Sequence, residues 1–375
     1  MFQDNLFLWI TLILFSLSAL IQLIWYFYFI LATLTAKHPE TSAGKKPVSV
    51  IICARNEAEN LSRFLPSVLE QDYPDYEVVV VNDCSEDNSY DILGSLMQKY
   101  PHLRISTVNK DPKFTHSKKM AQFIGIKAAK NELLIFTDAD CQPVSANWLT
   151  IMASRFSEDT DFVLGYGGYL RGDGLLNRYI RFDTMTIALQ YMGMAIRGIP
   201  YMGVGRNLAY RKSVFFEKKG FGKHSYIISG DDDLFVNANA KGSNTVVEFR
   251  NDAHTRSVPC TNVSAFVAQK RRHLTTAPYY KFTHRLLLIL EPSSRLLFYV
   301  AFIVLISNMF LWQTVLAIFG LRIIQVTVML ILGARRFNEK GIAALSIFFD
   351  ILSPLINRLI YLSNILSLPG KKKWK

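Results

Sequence analysis

Residues 6–36 form one uninterrupted apolar run that contains no charged residue. A helix needs roughly 20 apolar residues to cross the hydrocarbon core of a bilayer. This run is too long for the apolar segment of a secretory signal peptide, and no basic residue precedes it, so we expect no cleavage. The sequence therefore predicts an N-terminal transmembrane anchor over residues 1–36.

Basic residues follow the anchor at Lys37, Lys45 and Lys46. Loops rich in lysine and arginine stay on the cytoplasmic side of a membrane. The distribution predicts an integral membrane protein whose next segment, from residue 47 onward, lies in the cytoplasm. A short linker is expected at residues 41–44.

The C-terminal third is apolar again, and a membrane region is predicted over residues 285–368. Residues 296–332 are long enough for two spans that separate near residues 308–312. Residues 342–366 include Asp350 and Arg358, which are costly within lipid. That segment predicts either a third span or a helix lying along the interface. The lysine-rich tail at 371–375 favours a cytoplasmic end.

The net charge is +12 and half of the residues are hydrophobic. A nucleic-acid-binding protein with this charge would carry a basic face with interleaved aromatic residues, and residues 47–275 show none. Basic residues beside apolar segments instead favour contact with an anionic membrane surface. The four cysteines form no Cys-x-x-Cys pair, so we expect reduced packing residues without a disulfide framework or zinc site.

Between the membrane segments, short apolar strands alternate with helices. Strands are predicted at residues 48–54, 77–81, 103–108, 132–140 and 162–169, and helices at 57–71, 89–100, 115–130, 147–156 and 175–200. Asn56 is the expected N-cap of the first helix. This order predicts an α/β fold with a mainly parallel sheet covered by helices on both faces.

The strand predicted at 132–140 ends in two aspartates, Asp138 and Asp140. Residues i and i+2 of an extended chain point to the same side, and open α/β sheets bind ligands at the carboxyl ends of their strands. Two carboxylates suit Mg²⁺ or Mn²⁺. The alternative is an ordinary solvated acidic turn.

Three further acidic features sit beside predicted strand or helix ends. They are Glu57 after the first strand, Asp83 after the second, and the triplet 231–233 before an apolar helix. Capping of helix N-termini alone would explain Glu57 or one carboxylate of the triplet. Three packed carboxylates also raise one another's pKa, which suits a general base.

Cationic and amide groups complement these carboxylates. Lys118 and Lys119 open the helix before the Asp-x-Asp strand. Gln269 and Arg272 are three residues apart on a predicted helix and share one face. They could bind a diphosphate or form a basic collar at the membrane surface.

Together these groups predict transfer from a nucleotide-activated donor whose metal-bound diphosphate leaves. A separate carboxylate would deprotonate the attacking hydroxyl. The sequence contains neither the Gly-x-Ser-x-Gly elbow of acyl-transfer enzymes nor a phosphate-binding P-loop motif. The arrangement therefore fits neither covalent acyl chemistry nor P-loop phosphotransfer.

Five motifs in this order resemble a membrane-bound family 2 glycosyltransferase. They are Pro-Val-Ser-Val-Ile-Ile-Cys-Ala-Arg-Asn-Glu at 47–57, Val-Asn-Asp-Cys-Ser at 81–85, Thr-Asp-Ala-Asp at 137–140, Gly-Asp-Asp-Asp at 230–233 and Gln-x-x-Arg-His at 269–273. The resemblance implies a GT-A catalytic domain over residues 47–280, a UDP- or GDP-sugar donor, Mg²⁺ or Mn²⁺, and inversion at the anomeric carbon.

The resemblance also implies roles on the donor side. Glu57 and Asp83 would contact the nucleoside. Lys118 and Asp138 would lie near the ribose and diphosphate. Asp140, with Asp138 beside it, would ligate the metal.

The remaining roles concern the base, the acceptor and the leaving group. The resemblance implies that Asp232 is the general base and that Asp231 supports it, with Asp233 as the alternative if the motif is aligned one residue later. Gln269 and Arg272 would meet the diphosphate. The segment 205–210 resembles the part of the family that lines the acceptor side.

The expected function is therefore sugar transfer to a lipid-linked or glycan acceptor in cell-envelope polysaccharide or glycolipid synthesis, at an inner membrane of bacterial type. His273 replaces the tryptophan common in processive synthases, so single addition fits as well as polymerisation. A polyprenyl-phosphate sugar synthase is an alternative with a different acceptor. A catalytically silent scaffold is the alternative from another class.

Overall fold

The computed structural model describes residues 2–37, 46–109, 117–224, 227 and 229–366. The predicted linker at 41–44 and the basic tail at 371–375 lie outside these residues. The helices are α1 Phe2–Trp25, α2 Leu31–Thr35, α3 Ala58–Leu69, α4 Ser89–Lys99, α5 Lys118–Ala128, α6 Trp148–Ala153, α7 Gly174–Ile196, α8 Lys212–Glu217, α9 Asp233–Asn239, α10 Val263–Leu274, α11 Phe282–Ser307, α12 Trp312–Arg336 and α13 Ser346–Leu366. A π-helical turn, Tyr26–Ile30, joins α1 to α2.

The strands are β1 Val48–Ala54, β2 Tyr76–Asp83, β3 Leu103–Val108, β4 Leu133–Phe136, β5 Cys141–Pro143, β6 Phe162–Gly165, β7 Gly167–Tyr169, β8 Leu208–Arg211, β9 Thr245–Glu248 and β10 Thr255–Ser257. Seven of them form a sheet in the order β3-β2-β1-β4-β8-β6-β9. The pairs within β3-β2-β1-β4 are parallel, whereas β8 is antiparallel to both neighbours. The mainly parallel α/β sheet predicted from the sequence is confirmed.

The strand predicted at 132–140 is shorter than expected. β4 ends at Phe136, and a turn closed by a 3.1 Å hydrogen bond from Cys141 N to Asp138 O follows it. The chain then enters β5, which belongs to a second sheet of order β5-β10-β7. The prediction of an extended backbone through Asp138 and Asp140 is therefore wrong, because the chain changes sheets there.

Two other local predictions are also corrected. The strand predicted at 162–169 divides at Tyr166 into β6 and β7, which lie in different sheets. Asn56 is not the N-cap of α3, because that position belongs to Glu57. Asn56 adopts a left-handed φ of 53°, and its Oδ1 accepts a 2.7 Å hydrogen bond from Glu86 N. Its amide therefore ties two loops together.

Among the residues that the structure describes, four helical segments are long and apolar enough to cross a membrane, namely Leu6–Thr35, Phe282–Ser307, Trp312–Arg336 and Ala343–Asn364. The turn between α11 and α12 occupies residues 308–311.

A buried ion-pair cluster joins these helices. Arg322 of α12 donates to Asp350 of α13 at 2.7 Å and to Gln22 of α1 at 3.2 Å. Arg295 of α11 donates to the same Asp350 at 2.9 Å and to Glu291 at 3.0 Å. Two guanidinium groups face two carboxylates, so the charges balance within the protein, which is how ionisable groups are tolerated at such depth.

One hydrophobic core runs from the N-terminal helix through the soluble domain to α12 and α13. At Gly193 of α7, a Cβ would lie 2.1 Å from the carbonyl oxygen of Phe29, so only glycine permits this approach. Nearby, Thr33 donates a 3.0 Å hydrogen bond to Leu189 O. The N-terminal helix is therefore packed directly on the soluble domain.

Glu339, between α12 and α13, fixes the membrane helices to the second sheet. Its buried carboxylate accepts hydrogen bonds from Tyr166 Oη at 2.8 Å, from Arg181 Nε at 2.7 Å and from Arg256 Nη1. Arg256 precedes Ser257 in β10. The loop that carries Glu339 thus contacts the strand that supports the site described next.

Candidate active site

A cavity of about 940 Å³ opens at the carboxyl ends of β1 and β4. It gathers most of the side chains that the sequence singles out. Its lining includes Glu57, Lys118, Asp138, Asp140, Asp231, Asp232, Asp233, Gln269 and Arg272. Asp83 is not among the lining residues and lies buried at the end of β2.

Glu57 enters the cavity from the start of α3. Its Oε2 accepts a 2.5 Å hydrogen bond from Asn60 Nδ2, and its backbone N–H donates to Ser89 Oγ at 3.1 Å. The side chain is therefore positioned by its own helix and by the start of α4.

Asp138 and Asp140 lie in the turn that follows β4. One oxygen of each carboxylate and the sulfur of Cys141 all lie within 4.8 Å of one another. Asp138 accepts a 2.7 Å hydrogen bond from Lys118 Nζ, and Asp140 accepts one of 2.9 Å from Ser257 Oγ. The turn, rather than the predicted extended strand, brings the two carboxylates together.

The pKa values of the two carboxyls move in opposite directions. Burial acts to raise the pKa of Asp138, but the charge of Lys118 outweighs it and the pKa falls. Burial, followed by the negative charge of Asp138, raises the pKa of Asp140. A like charge so close disfavours ionisation, and a bound cation would relieve that repulsion.

The donor set fits a hard divalent cation. Carboxylate oxygens suit Mg²⁺ or Mn²⁺. Burial first, then the charges of Asp140 and Asp138, holds the pKa of the Cys141 thiol well above its usual value. The carboxylates, rather than the thiol, are the ligands that a hard cation prefers.

Lys118 links this pair to the acidic triplet. Its ammonium lies 2.7 Å from Asp138 Oδ1 and 3.4 Å from Asp231 Oδ2. Burial acts to lower the pKa of Lys118, but Asp138 and Asp231 outweigh it and raise the pKa well above its usual value. The neighbouring Lys119 points away and donates to the carbonyls of His224 and Ile227 at 2.7 and 2.9 Å.

Asp232 is the N-cap residue of α9, and two backbone amides donate hydrogen bonds to its carboxylate. Its Oδ2 accepts a hydrogen bond from Gly205 N and its Oδ1 accepts one of 2.8 Å from Asp233 N. Burial, then the charges of Asp231 and Asp233, raises the pKa of Asp232 to about 7. A carboxylate with this pKa can accept a proton near neutral pH.

The carboxylate of Asp233 accepts hydrogen bonds from neighbouring residues of the protein. The donors are Thr276 Oγ1 at 2.5 Å, Tyr280 Oη at 2.6 Å and Leu234 N at 2.7 Å. These contacts connect α9 to the segment that precedes α11, which is a structural task for this carboxylate.

α10 forms another wall of the cavity. Gln269 Oε1 accepts a 3.3 Å hydrogen bond from Tyr169 Oη, while Arg272 and His273 also line the cavity. Burial, then the charge of Arg272, lowers the pKa of His273 to about 3. Its ring is therefore neutral and can pack against a bound group.

Two side chains were missed by reasoning from sequence. Arg206 lies 4.2 Å above the ring of Tyr169, and its charge acts to lower the pKa of both Asp138 and Asp140. Ser257 holds Asp140. The segment 205–210 carried a family signal for Arg206, whereas nothing in the sequence links Ser257, 117 residues away, to Asp140.

Comparisons with known proteins show that this chain is similar to glycosyltransferases. The family described as "Glycosyl transferase family 2" matches residues 49–216. "Glycosyltransferase AglE" of Haloferax volcanii is 33% identical over 37% of this chain and 46% of its own length. "Cholesterol galactosyltransferase" of Borreliella burgdorferi is 28% identical over 33% of each chain. This chain thus matches less than half the length of these relatives.

A solved structure resembles almost the whole fold. The mannosyltransferase PcManGT from Pyrobaculum calidifontis, in complex with GDP-Man and Mn²⁺, matches with a TM-score of 0.60 and 16% identity. The match covers 89% of this chain and 99% of PcManGT. Residues 49–216 of this chain thus match glycosyltransferase family 2, and the chain has a GT-A fold flanked by candidate membrane helices.

Proposed function

We propose that this chain is an inverting, metal-dependent hexosyltransferase. It moves a sugar from a nucleotide-sugar to a hydroxyl of a membrane-proximal acceptor in cell-envelope polysaccharide or glycolipid synthesis. The observation that carries the proposal is the placement of Asp232, with a pKa of about 7, in the same cavity as the Asp138–Asp140 pair.

The donor would be a UDP- or GDP-sugar. Its nucleoside would be bound near Glu57 and Asp83. Lys118, Gln269 and Arg272 would orient the diphosphate, because charge-assisted hydrogen bonds to phosphate are short and strong. The GDP-Man complex of PcManGT supports a donor of this class.

Asp138 and Asp140 would hold Mg²⁺ or Mn²⁺. When bound, such an ion supplies positive charge that neutralises the diphosphate as it leaves. Ser257 orients Asp140 through its hydrogen bond. Lys118 and Arg206 add fixed positive charge beside the same carboxylates.

Asp232 would act as the general base. An oxygen of the acceptor hydroxyl forms a bond to the anomeric carbon while the bond from that carbon to the phosphate oxygen breaks. The hydroxyl proton passes to Asp232, and the nucleoside diphosphate departs with the bonding electrons. A single displacement of this kind inverts the anomeric centre. Asp231 would support the base through Lys118.

The raised pKa of Asp232 favours a hydroxyl acceptor over the polyprenyl-phosphate alternative. A phosphate oxygen is already ionised at neutral pH and needs no base. The gathering of the acidic motifs in one cavity also argues against a catalytically silent scaffold, because such a protein has no need to keep them together.

We further propose that the soluble domain faces the cytoplasm. Lys37 follows the first candidate span, and Arg335 and Arg336 end α12. Arg336 donates to Ala36 O at 2.5 Å, so these basic residues lie at one level, beside the soluble domain. A cytoplasmic position for such residues follows the positive-inside rule.

The test is sugar transfer and donor hydrolysis by the full chain in detergent with Mn²⁺, across a panel of UDP- and GDP-sugars. We expect turnover with one donor class and its loss in Asp140→Ala and Asp232→Asn. Unchanged turnover in both variants would refute the site. No turnover with any donor in the panel would refute the donor class.

A further inference from the structure

The active-site cavity does not end at the soluble domain. The same continuous space that is lined by Asp231 and Asp232 is also lined by residues of α11 and α13. Arg285, Leu288 and Ile289 contribute from α11, and Arg358, Tyr361 and Leu362 from α13. The proposed base therefore shares one cavity with two helices of the membrane region.

The part of the cavity that is lined by α11 and α13 is bordered by exposed apolar side chains. Ile289 is 61% exposed, Leu362 51% and Tyr361 42%. Contiguous apolar surface of this kind is unusual on a water-facing protein and marks contact with lipid or a partner. It belongs here to helices that are apolar enough to cross a membrane. This end of the cavity therefore opens toward acyl chains.

The contacts of α13 place this opening near the membrane surface. Close to the start of α13, the ring of Phe349 lies 5.3 Å from that of Tyr179 in α7. At its other end, Ser363 accepts a 3.0 Å hydrogen bond from Arg271 in α10, and Asn364 donates to Arg271 O at 2.8 Å. A helix of 21 residues is about 32 Å long. Both ends of α13 therefore contact the soluble domain, a geometry that fits a helix lying along the membrane interface.

Two arginines, one in α11 and one in α13, line the same part of the cavity. Arg358 donates to Ser293 Oγ at 2.7 Å, and Arg285 donates to Pro278 O at 3.2 Å. Both recorded partners are neutral. Within the described ranges, neither guanidinium forms an ion pair with a carboxylate. Two such cations beside an apolar channel match an anionic headgroup attached to a hydrocarbon chain.

We propose that the acceptor is a membrane lipid with a phosphate in its headgroup, which enters from the bilayer between α11 and α13. Its phosphate is bound by Arg285 and Arg358, its hydrocarbon chain lies against Leu288, Ile289 and Leu362, and its hydroxyl-bearing end reaches Asp232. This inference rests on the proposed glycosyltransferase function and names the acceptor class for the same site.

The test is binding of a radiolabelled long-chain alkyl phosphate to the full chain in a non-ionic detergent, without donor. We expect saturable binding that the corresponding alkyl alcohol and inorganic phosphate compete for poorly. Arg358→Ala and Arg285→Ala should each weaken binding about tenfold, the scale of one lost charge-assisted contact. Leu288→Trp, which fills the apolar part, should also weaken it.

Arg335→Ala is the matched control, since Arg335 is an exposed cation at the end of α12 that does not line this cavity. Its binding should equal that of the wild type. Equal binding by Arg358→Ala and the wild type, or equal competition by the alcohol, would overturn the proposal. Arg358→Glu is a second variant for the same binding assay and should also weaken binding. Because Arg358 is exposed, its replacement leaves the core intact.

Measuring donor hydrolysis distinguishes a failure of the acceptor proposal from a failure of the proposed glycosyltransferase function. Arg335→Ala should hydrolyse the nucleotide-sugar and bind the lipid as the wild type does, whereas lipid binding should fall in Arg358→Ala. If the wild type does not hydrolyse the donor, the proposed glycosyltransferase function is contradicted. If hydrolysis is intact but Arg285→Ala and Arg358→Ala bind the lipid as the wild type does, only the proposed acceptor class is contradicted.

Discussion

The backbone N–H of Gly205 donates a 2.6 Å hydrogen bond to the carboxylate of Asp232. The approach is close because Gly205 has no side chain, and a Cβ there would lie 3.2 Å from Asp232 Oδ2. An amide at this distance fixes the direction of the carboxylate and lowers its pKa, against the larger upward effect of burial. The segment before β8 therefore controls the group proposed as the base.

Asp232→Asn should abolish transfer while leaving the fold intact. Asparagine can keep the N-cap of α9 through its Oδ1, although its amide nitrogen cannot accept the hydrogen bond from Gly205 N, and it cannot take a proton. General-base catalysis contributes roughly 10²–10⁴-fold, so the turnover number should fall by that factor. Sugar transfer assays measure it, and thermal unfolding provides the control, because the transition temperature should stay near the wild-type value.

Activity should rise with pH through about 7. The base works in its ionised form, and the pKa of Asp232 is raised to about 7. Below that pH the ionised fraction falls about tenfold per unit, so kcat/KM should fall with it. A profile that is flat from pH 5 to 8 would exclude Asp232 as the titrating base.

Lys118→Met should move the acid limb of this profile to higher pH. The ammonium of Lys118 lowers the pKa of Asp232, so its removal raises that pKa further. Overall activity should also fall, because Asp138 loses its 2.7 Å partner. Lys119→Met is the matched comparison. It removes the contacts to His224 O and Ile227 O and should reduce stability more than it shifts the profile.

Mn²⁺ should raise the unfolding temperature of the wild type but not of Asp140→Ala. A ligand that binds only the folded state stabilises it by an amount that grows with the ratio of ligand concentration to Kd. Cys141→Ala should retain the metal response, because a hard cation prefers the carboxylate oxygens to the thiol sulfur. Equal responses of Asp140→Ala and the wild type would remove Asp140 from the metal site.

Glu339→Ala should destabilise the protein by about 3–5 kcal/mol, the usual cost of removing one partner from a buried ion pair. The substitution leaves Arg181 and Arg256 without the carboxylate that both contact. Chemical unfolding in detergent measures the change. Lys340→Ala, at the next and exposed position, should change stability by less than about 0.5 kcal/mol.

Most of the central sheet could be predicted from sequence because its strands are short apolar runs between helical segments. β1 was predicted with its observed bounds. The turn after β4 could not be predicted, because Thr137 and Cys141 are held by partners distant in sequence. Thr137 donates to Arg206 O at 3.0 Å, and Cys141 pairs with Ser257 in the second sheet.

The candidate site could likewise be predicted only in part from the sequence. Each carboxylate was visible from its position after a strand or before a helix. The roles within the triplet were not visible, because they depend on what each aspartate contacts. Thr276 and Tyr280 donate hydrogen bonds to the carboxylate of Asp233, and both lie more than 40 positions away along the chain.

The close packing of Gly193 against Phe29 has a practical consequence for preparing this protein. A fragment that begins after the first helix would expose the apolar residues of α7 that pack against it, and one that ends before α11 would remove Glu339 from its buried arginines. Purification therefore has to retain the candidate membrane helices, and the choice of detergent or nanodisc should affect the stability of the α/β domain as well as that of the helices.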